Sequence, residues 1–384
     1  MDSPTRRRPA RHRPEALGYW LWVPLSPRSV RRRRPGPPGP VVISGCDYLG
    51  LSEDPVIRRA WLEACAEGPL QTGASRATTG DHPAYRRTEA AIAEFLGEPA
   101  ALLTATGYLA SLAVGQGLRD QATHLLVDAG AHACVQDGAR LSGLPVTAFT
   151  SGDPRALKSA LGRLPKSARP LVATDGVHGI RGGMAPLKAY LDALPAAGWL
   201  WVDDAHGIGA MGPTGRGAAE ALGLRDDRLI RSVTFSKALA VAGGAVIGPA
   251  PIVEEIRSRA GAYLGSSAPP LAMAAAVTAA LARVDRLPGR VRRLQALLRR
   301  FSGILPDRPE ILNDPRTPVT AIHPRDADQA RRLGEALSAA GFVPPWIQYP
   351  GGPAGGFFRI ALRANLSAGI VDRLARAVRS GLGA

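Results

Sequence analysis

The chain has 384 residues, of which 45% are hydrophobic, so it can bury a large core and form two or more domains. No apolar run approaches the length of a membrane span, and the composition therefore argues against a helical membrane protein. The three cysteines, Cys46, Cys65 and Cys134, are widely spaced and odd in number. They argue against a disulfide framework or a metal-ligand cluster, and they favour a reducing, cytoplasmic location.

The formal net charge of +16 is concentrated at the start of the chain. Residues 1–40 carry ten arginines against two acids, Asp2 and Glu15, which gives this segment a charge of +8. The segment is also dense in proline, so we predict a poorly ordered arm. Its apolar stretch, residues 19–25, is too short for a signal peptide. The arm has the charge to contact polyanions or to attract a phosphate-rich cosubstrate. A solvated tail or an overextended reading frame explains it better, and nucleic acid is not the favoured partner.

From residue 41 onward, short apolar runs typical of buried strands alternate with helical patterns. The predicted strands of this part are residues 101–103, 125–127, 146–149, 171–173, 200–202, 229–233 and 245–247. The helical patterns between them include residues 83–95, 108–119, 153–164 and 186–194. Continuous buried strands separated by helices predict an α/β fold with a mainly parallel sheet flanked by helices.

The composition changes near Pro251, and from there to residue 298 the chain is rich in alanine, leucine and arginine. We predict helices that lead away from the sheet. A smaller αβ segment follows, with predicted strands at 319–322 and 357–362 and predicted helices at 327–340 and 367–382. The predicted organisation is therefore an arm (1–40), a large domain (41–255) and a smaller C-terminal α+β domain (256–384).

Lysine is rare in this chain, which has only four, at positions 158, 166, 188 and 237, against a large excess of arginine. Lysine can lose its proton and form a Schiff base, whereas arginine stays protonated. The first three lysines lie in helical patterns or a polar loop. Lys237 closely follows the strand predicted at 229–233, a position that suits a reactive group. Taken alone, it is better explained as a solvated surface lysine.

Polar residues follow several other predicted strands at the point where each strand ends. Thr106, Gly107 and Tyr108 form a small polar turn that opens a helix, and its backbone amides suit a phosphate. Since ligands of α/β sheets bind beyond the carboxyl ends of the strands, we expect all these residues to share one edge. The residues that follow the remaining strands are His132, Asp175, His178, Asp203, Asp204, His206 and Thr234.

This set of side chains matches the needs of pyridoxal 5′-phosphate (PLP). Its aldehyde needs a lysine amine, its pyridine nitrogen needs a carboxylate, and its phosphate needs amides and hydroxyls. Each of these residues alone is weak evidence for PLP binding. The Asp-Asp-Ala-His run, for example, is also suited to capping a helix. A metal site made of Asp203, His206, His132 and His178 is the competing interpretation. It leaves Lys237 and the glycine turns unexplained, so no metal is predicted.

Taken together, the motifs make the chain resemble the α-oxoamine synthases, a family of fold-type I PLP-dependent transferases. This family includes 8-amino-7-oxononanoate synthase, 5-aminolevulinate synthase, glycine C-acetyltransferase and serine palmitoyltransferase. The resemblance extends in a consistent order from about residue 41 to the C-terminus. The segments that carry it are residues 47–51, 72–76, 132–133, 203–207, 212–217, 234–237 and 266–270.

The resemblance implies a role for each catalytic residue. Lys237 forms the covalent link to the cofactor and acts as the base that removes the α-proton. Asp203 pairs with the pyridine nitrogen, His206 donates a hydrogen bond to the ring oxygen, and His132 stacks on the ring.

Further roles concern the phosphate, the substrate and the partner subunit. Members of the family are homodimers with active sites at the interface, so Ser266 or Ser267 is expected to reach the partner subunit's phosphate. Arg359 aligns with the arginine that binds the carboxylate of the amino acid. The expected phosphate ligands within the chain are Thr106, Gly107, Tyr108 and Thr234.

The implied reaction is a PLP-dependent acyl transfer. A protonated pyridine ring withdraws electrons from the α-carbanion, which attacks an acyl thioester, and loss of carbon dioxide gives an α-aminoketone. The acyl donor is coenzyme A or an acyl carrier protein. The alternatives are 8-amino-7-oxononanoate synthase of biotin synthesis, or an aminotransferase, aldolase or decarboxylase on the same scaffold. A non-catalytic subunit is disfavoured because Lys237 is present.

The chain departs from the family at residues expected to face the substrate. Cys46 replaces a common asparagine, and Tyr85 replaces a common histidine. Residues 175–182 lose a serine and an acid of the family pattern and gain His178 and Arg181. The loop over the site, residues 349–353, reads Tyr-Pro-Gly-Gly-Pro. The cofactor-binding residues are thus kept while substrate-facing residues change, which favours a specialised biosynthetic enzyme with Cys46 and His178 in its substrate pocket.

Overall fold

The computed structural model describes residues 39–349 and 352–383. All but the last two residues of the predicted arm lie outside these ranges. Within them, none of the helices combines the length and the apolar character that crossing a membrane requires.

Strands alternate with helices along most of the chain. The strands are β1 (Val41–Val42), β2 (Ala100–Thr104), β3 (His124–Asp128), β4 (Val146–Phe149), β5 (Pro170–Asp175), β6 (Trp199–Asp203), β7 (Leu229–Thr234), β8 (Gly244–Gly248), β9 (Ile311–Leu312), β10 (Val319–Ile322), β11 (Phe342–Val343), β12 (Trp346–Ile347) and β13 (Phe357–Ala361). The helices are α1 (Pro55–Glu67), α2 (Pro83–Leu96), α3 (Gly107–Gly117), α4 (Ala133–Leu141), α5 (Pro154–Gly162), α6 (Leu187–Ala193), α7 (Ala218–Leu222), α8 (Ala250–Arg259), α9 (Gly261–Leu264), α10 (Leu271–Arg286), α11 (Pro288–Ile304), α12 (Ala327–Ala339) and α13 (Ala368–Gly381).

The large sheet has seven strands in the order β2-β8-β7-β6-β5-β3-β4. Six of them run in the same direction, and β8, which lies between β7 and β2, is antiparallel to both. The reversal follows from chain length, since the short link from β7 to β8 contains no helix that could act as a parallel crossover. Strands β5, β7 and β8 are buried along their whole length, as expected of a sheet covered on both faces. The predicted mainly parallel sheet flanked by helices is confirmed.

The C-terminal part of the chain forms a smaller layer. An antiparallel sheet in the order β12-β13-β10-β9 packs with α12 and α13, and β1 pairs with β11 beside it. The region after Pro249 is helical, as predicted, and α10 packs against α1 and α2 of the large domain. Helix α1 was not predicted, although Asp54 caps it by accepting a hydrogen bond from the amide of Val56.

Helices α3 and α4 cross at two glycines, and this crossing places their N-termini at the carboxyl edge of the sheet. A Cβ atom at Gly115 of α3 would collide with the backbone carbonyl of Gly138 in α4. A Cβ atom at Gly138 would in turn lie 2.7 Å from the carbonyl oxygen of Ser111 and 2.8 Å from the Trp201 ring. The helices therefore approach so closely that neither position has room for a methyl group.

We expect Gly115→Ala to lower the free energy of unfolding by about 1–3 kcal/mol, because the added methyl group overpacks the helix crossing. Gly303→Ala is the matched control, since a Cβ atom at this glycine of α11 meets nothing within 4 Å among the described residues. It should leave stability unchanged or raise it by up to about 1 kcal/mol through helix propensity. Denaturant titration measures both, and equal stability of the two variants would contradict the crossing geometry.

Candidate active site

A cavity of about 280 Å³ lies beyond the carboxyl ends of β5, β6 and β7. The sheet register places the Cα atom of Asp175 beside that of Asp203, and Asp203 beside Ser232. The four predicted catalytic residues, Lys237, Asp203, His206 and His132, all line this cavity. So do the predicted cofactor and substrate residues Cys46, Gly107, Tyr108, Thr234 and Arg359.

Asp203 is held in place at the end of β6 by several hydrogen-bond donors. Its Oδ1 accepts a hydrogen bond from the amide of Ala205 at 3.0 Å. Its Oδ2 accepts one from Ser111 Oγ at 3.1 Å and one from Cys134 Sγ at 3.2 Å. The side chain is 8% exposed, and these donors replace the water that a buried carboxylate loses.

Asp204, the adjacent acid, faces away from the cavity. Its carboxylate lies 3.5 Å from Arg231 Nη1 and accepts the amide hydrogen of Ala218 at 3.0 Å. Burial raises the pKa of Asp204 to about 6, although the positive charge of Arg231 opposes the shift. Asp204 therefore supports the turn after β6, and Asp203 is the acid available to a ligand.

His206 is a neutral hydrogen-bond donor, and Tyr48 determines which ring nitrogen carries its hydrogen. Burial lowers the pKa of His206 well below its ordinary value, and the positive charges of Lys237 and Arg359 lower it further. Burial raises the pKa of Tyr48, so the phenol keeps its hydrogen, and its oxygen lies 2.6 Å from His206 Nδ1. We assign the phenol as the donor, because the hydrogen of the neutral ring is then on Nε2, the nitrogen available to a ligand in the cavity.

His132 caps α4, and its backbone amide and both of its ring nitrogens have hydrogen-bond partners. Its backbone amide donates to both oxygens of Asp175 at 3.0 Å, and its Nε2 lies 2.7 Å from the hydroxyl of Tyr349. Its Nδ1 accepts a hydrogen bond from the amide of Cys134 at 3.2 Å and lies 2.9 Å from Cys134 Sγ. Burial lowers the pKa of His132, which favours a neutral ring.

The start of α3 forms a cradle for an anion. Thr106 caps the helix by accepting a hydrogen bond from the amide of Leu109 at 3.1 Å, so it does not itself line the cavity. A Cβ atom at Gly107 would lie 2.6 Å from Thr234 Cβ, so only glycine lets the amides of α3 approach this strand end. Thr234 Oγ1 lies 2.8 Å from Ser236 Oγ, which adds a second hydroxyl to the cradle. Helix amides with two hydroxyl groups suit a phosphate.

Besides Thr106, three predicted site residues lie outside this cavity. His178 is 4% exposed and lies behind Asp175, with its Nε2 3.5 Å from Asp128 Oδ2. Val177 lines the cavity instead, because adjacent residues of an extended segment point to opposite sides. His178 therefore does not line the cavity with the other predicted residues, and its expected contact with substrate stays a prediction. Ser266 and Ser267 line a separate small depression with Arg76 and Tyr263.

The structure adds residues that the sequence reasoning did not assign to the site. Tyr48 lies within one of the family-like segments, but its contact is with His206, 158 residues away. Tyr349 comes from the loop that departs from the family pattern, and Cys134 follows His132 by two positions. In the described part of the chain, no three His, Cys, Asp or Glu side chains are grouped as metal ligands.

Comparison with known proteins places the chain in a family. Residues 42–378 match the model of the family described as aminotransferase class I and II, and the chain belongs to it. It is 35% identical over 333 residues to 8-amino-7-oxononanoate synthase of Yersinia enterocolitica, covering 86% of each chain. It is also 35% identical over 351 residues to 8-amino-7-oxononanoate synthase of Pseudomonas putida, covering 88% of this chain and 89% of the relative.

Solved structures of related enzymes are also similar to the chain. Serine palmitoyltransferase from S. paucimobilis, with PLP and myriocin bound, superposes with a TM-score of 0.82 at 26% identity, covering 89% of this chain and 87% of that chain. The 8-amino-7-oxononanoate synthase of Francisella tularensis superposes with a TM-score of 0.74 at 21% identity, covering 89% of this chain and 97% of that chain, and shares the fold.

The predicted family, fold class and cofactor are therefore confirmed. The chain is a PLP-dependent acyltransferase of the α-oxoamine synthase group, with the fold of fold-type I transferases and a smaller C-terminal domain. The cavity fits PLP, because it offers an amine at Lys237, a carboxylate at Asp203 and the anion cradle at Gly107.

Tyr48→Phe should weaken PLP binding about tenfold, because His206 Nδ1 loses its donor and is left unsatisfied in a buried position. Tyr190→Phe is the matched control, since the hydroxyl of this buried tyrosine has no hydrogen-bond partner among the described residues. Titration of the cofactor-free proteins with PLP gives the dissociation constants. Equal affinities of the two variants would contradict the role given to Tyr48.

Proposed function

We propose that this protein condenses a small amino acid with an acyl thioester to give an α-aminoketone, carbon dioxide and a free thiol. The observation that carries the proposal is the meeting of Lys237, Asp203 and Arg359 in one cavity. PLP, when bound, supplies an electron sink at the pyridine ring. The protein supplies attachment, orientation and proton transfer.

Lys237 is the proposed covalent attachment point and base. It lies in the tight link between β7 and β8, where Phe235 exchanges backbone hydrogen bonds with Gly243 and Val241. This link fixes the lysine at the strand ends. Lys237 Nζ would attach the cofactor and would take the α-proton of an amino acid bound in the cavity.

The proposed roles of Asp203, His206 and His132 follow from their hydrogen bonds. Asp203, held by its donors, would accept the hydrogen of the pyridine nitrogen when PLP is bound. His206 would donate from Nε2 to the ring oxygen, since its Nδ1 contacts Tyr48. His132, held at both ring nitrogens, offers a flat face for stacking. Gly107, Tyr108 and Thr234 bind the phosphate.

Arg359 is the proposed binding group for the carboxylate of the amino acid. It lies on β13 of the smaller domain and lines the cavity. Its Nε is buried without a hydrogen-bond partner among the described residues, which leaves a donor for an incoming carboxylate. Cys46 lines the same cavity and limits the room for the substrate.

We also propose that the protein works as a homodimer in the cytoplasm. Ser266 and Ser267 then face the partner subunit's phosphate from their own depression beside Arg76. Large apolar side chains exposed on this chain, Leu62 at 59% and Leu70 at 75%, favour an additional contact. The three free cysteines suit a reducing compartment. The acyl group arrives on coenzyme A or on an acyl carrier protein.

The reaction is tested by incubating the holoenzyme with glycine, alanine or serine and with acyl thioesters of coenzyme A or a carrier protein. We expect one pair to release carbon dioxide and free thiol in equal amounts, and Lys237→Ala to release neither. An aminotransferase would form a keto acid without thiol. That result, or turnover by Lys237→Ala, would contradict the proposal.

Arg359→Lys should raise the KM for the amino acid by about tenfold or more, because an ammonium group cannot reproduce the bidentate contact of a guanidinium. The kcat should change less, since the contact is made in the ground state as well. Arg376→Ala, at an exposed position of α13, is the control and should leave both constants unchanged. A kcat effect with unchanged KM would place Arg359 elsewhere in the reaction.

A further inference from the structure

The His132 ring is linked at both nitrogens to groups from different parts of the fold. Tyr349, from the loop between β12 and β13 of the smaller domain, reaches Nε2 with its hydroxyl at 2.7 Å. Cys134, in the first turn of α4, reaches Nδ1 with its sulfur at 2.9 Å. The same sulfur lies 3.2 Å from Asp203 Oδ2. Four side chains thus form an unbroken series of contacts from the loop to the acid at the end of β6.

The hydrogen-bond donors in this series can be assigned by counting. The amide of Cys134 is a fixed donor to His132 Nδ1 at 3.2 Å, so Nδ1 carries a lone pair. The hydrogen of the neutral ring is then on Nε2, where it faces the oxygen of Tyr349. The thiol can share this one lone pair with the amide in a three-centre hydrogen bond.

The thiol has one hydrogen and two acceptors within reach. Burial raises the pKa of Cys134, and the negative charge of Asp203 raises it further, so the sulfur keeps its hydrogen. The hydrogen can point to Asp203 Oδ2 or to His132 Nδ1, but not to both. Asp203 Oδ2 also accepts a hydrogen bond from Ser111, so it keeps a donor when the thiol turns away.

We propose that Cys134 is a positioning residue whose thiol couples the orientation of His132 to the hydrogen bonding of Asp203. The inference rests on the proposed function, in which Asp203 accepts the hydrogen of the pyridine nitrogen. When Asp203 accepts that hydrogen, the hydrogen bond from the thiol stabilises it less, and the thiol turns to His132 Nδ1. Within the series Tyr349–His132–Cys134–Asp203, the hydrogen bond from the thiol to His132 then strengthens and holds the His132 ring in place at the cavity.

A plain packing role for Cys134 makes the opposite prediction for two substitutions. A buried cysteine that only fills space is replaced better by alanine than by serine, because serine adds a hydroxyl that has to be satisfied. A thiol that acts as a donor is replaced better by serine. The ranking of Cys134→Ser and Cys134→Ala therefore separates the two roles.

The experiment uses the holoenzyme of both variants, with Cys65→Ala on α1 as the control for thiol removal. We expect Cys134→Ala to lower kcat about tenfold with little change in the KM for the amino acid, and to alter the ratio of the two absorption bands of bound PLP. Cys134→Ser should stay within about threefold of the parent in kcat and keep its spectrum. Cys65→Ala should match the parent in both.

Two further measurements extend the test, and the second does not depend on the folding of Cys134→Ala. Tyr349→Phe breaks the other end of the series, and its effect combined with Cys134→Ala should depart from additivity by about threefold. Nitrogen-15 NMR of the cofactor-free parent protein should show His132 neutral with its hydrogen on Nε2.

The proposal is overturned if Cys134→Ala keeps the parent's spectrum and kcat, if it performs better than Cys134→Ser, or if the two ends are strictly additive. A hydrogen on His132 Nδ1 in the parent also overturns it. Failure of the proposed function itself has a different signature, because the parent protein would then not take up PLP or would release no thiol.

Discussion

Two carboxyl groups lie side by side at the ends of adjacent parallel strands, and the arrangement of the site follows from the different hydrogen-bond partners that hold them. Asp175 and Asp203 are in register, and both are buried. Burial raises the pKa of Asp175, and the charge of Asp203 raises it further. Asp203, by contrast, accepts hydrogen bonds from Ala205, Ser111 and Cys134. Burial therefore disfavours a charge on Asp175, while the three donors hold Asp203 in place at the cavity.

The rest of the site is arranged around these two acids, Asp175 and Asp203. Asp175 binds the backbone of His132 and fixes the start of α4, and the close crossing of α4 with α3 places the anion cradle nearby. His206 is kept neutral among Lys237 and Arg359, so it can act only as a donor or acceptor and adds no further positive charge. The cavity thus separates a carboxylate end, an amine and an anion end, as a PLP-dependent enzyme requires.

Much of this could be predicted from the sequence, because parallel strands end at one edge and the residues after them must meet there. That reasoning located Lys237, Asp203, His206 and His132. Strand ends alone do not separate the adjacent acids 203 and 204, whose directions depend on Arg231 across the sheet, and the choice of Asp203 came from the resemblance. They do not show that His178 lies behind Asp175, since side-chain alternation after β5 depends on where the strand ends. The loop that begins at Tyr349 was expected over the site, but not the contact of Tyr349 with His132, 217 residues away.

The most direct test of this account is nitrogen-15 NMR of the protein loaded with PLP that is labelled at the ring nitrogen. If Asp203 is the acid that pairs with the cofactor, the ring nitrogen should be protonated at neutral pH, and Asp203→Asn should abolish that protonation while Asp175→Asn preserves it. An unprotonated ring nitrogen in the parent protein, or loss of protonation on changing Asp175 alone, would contradict the role given to Asp203.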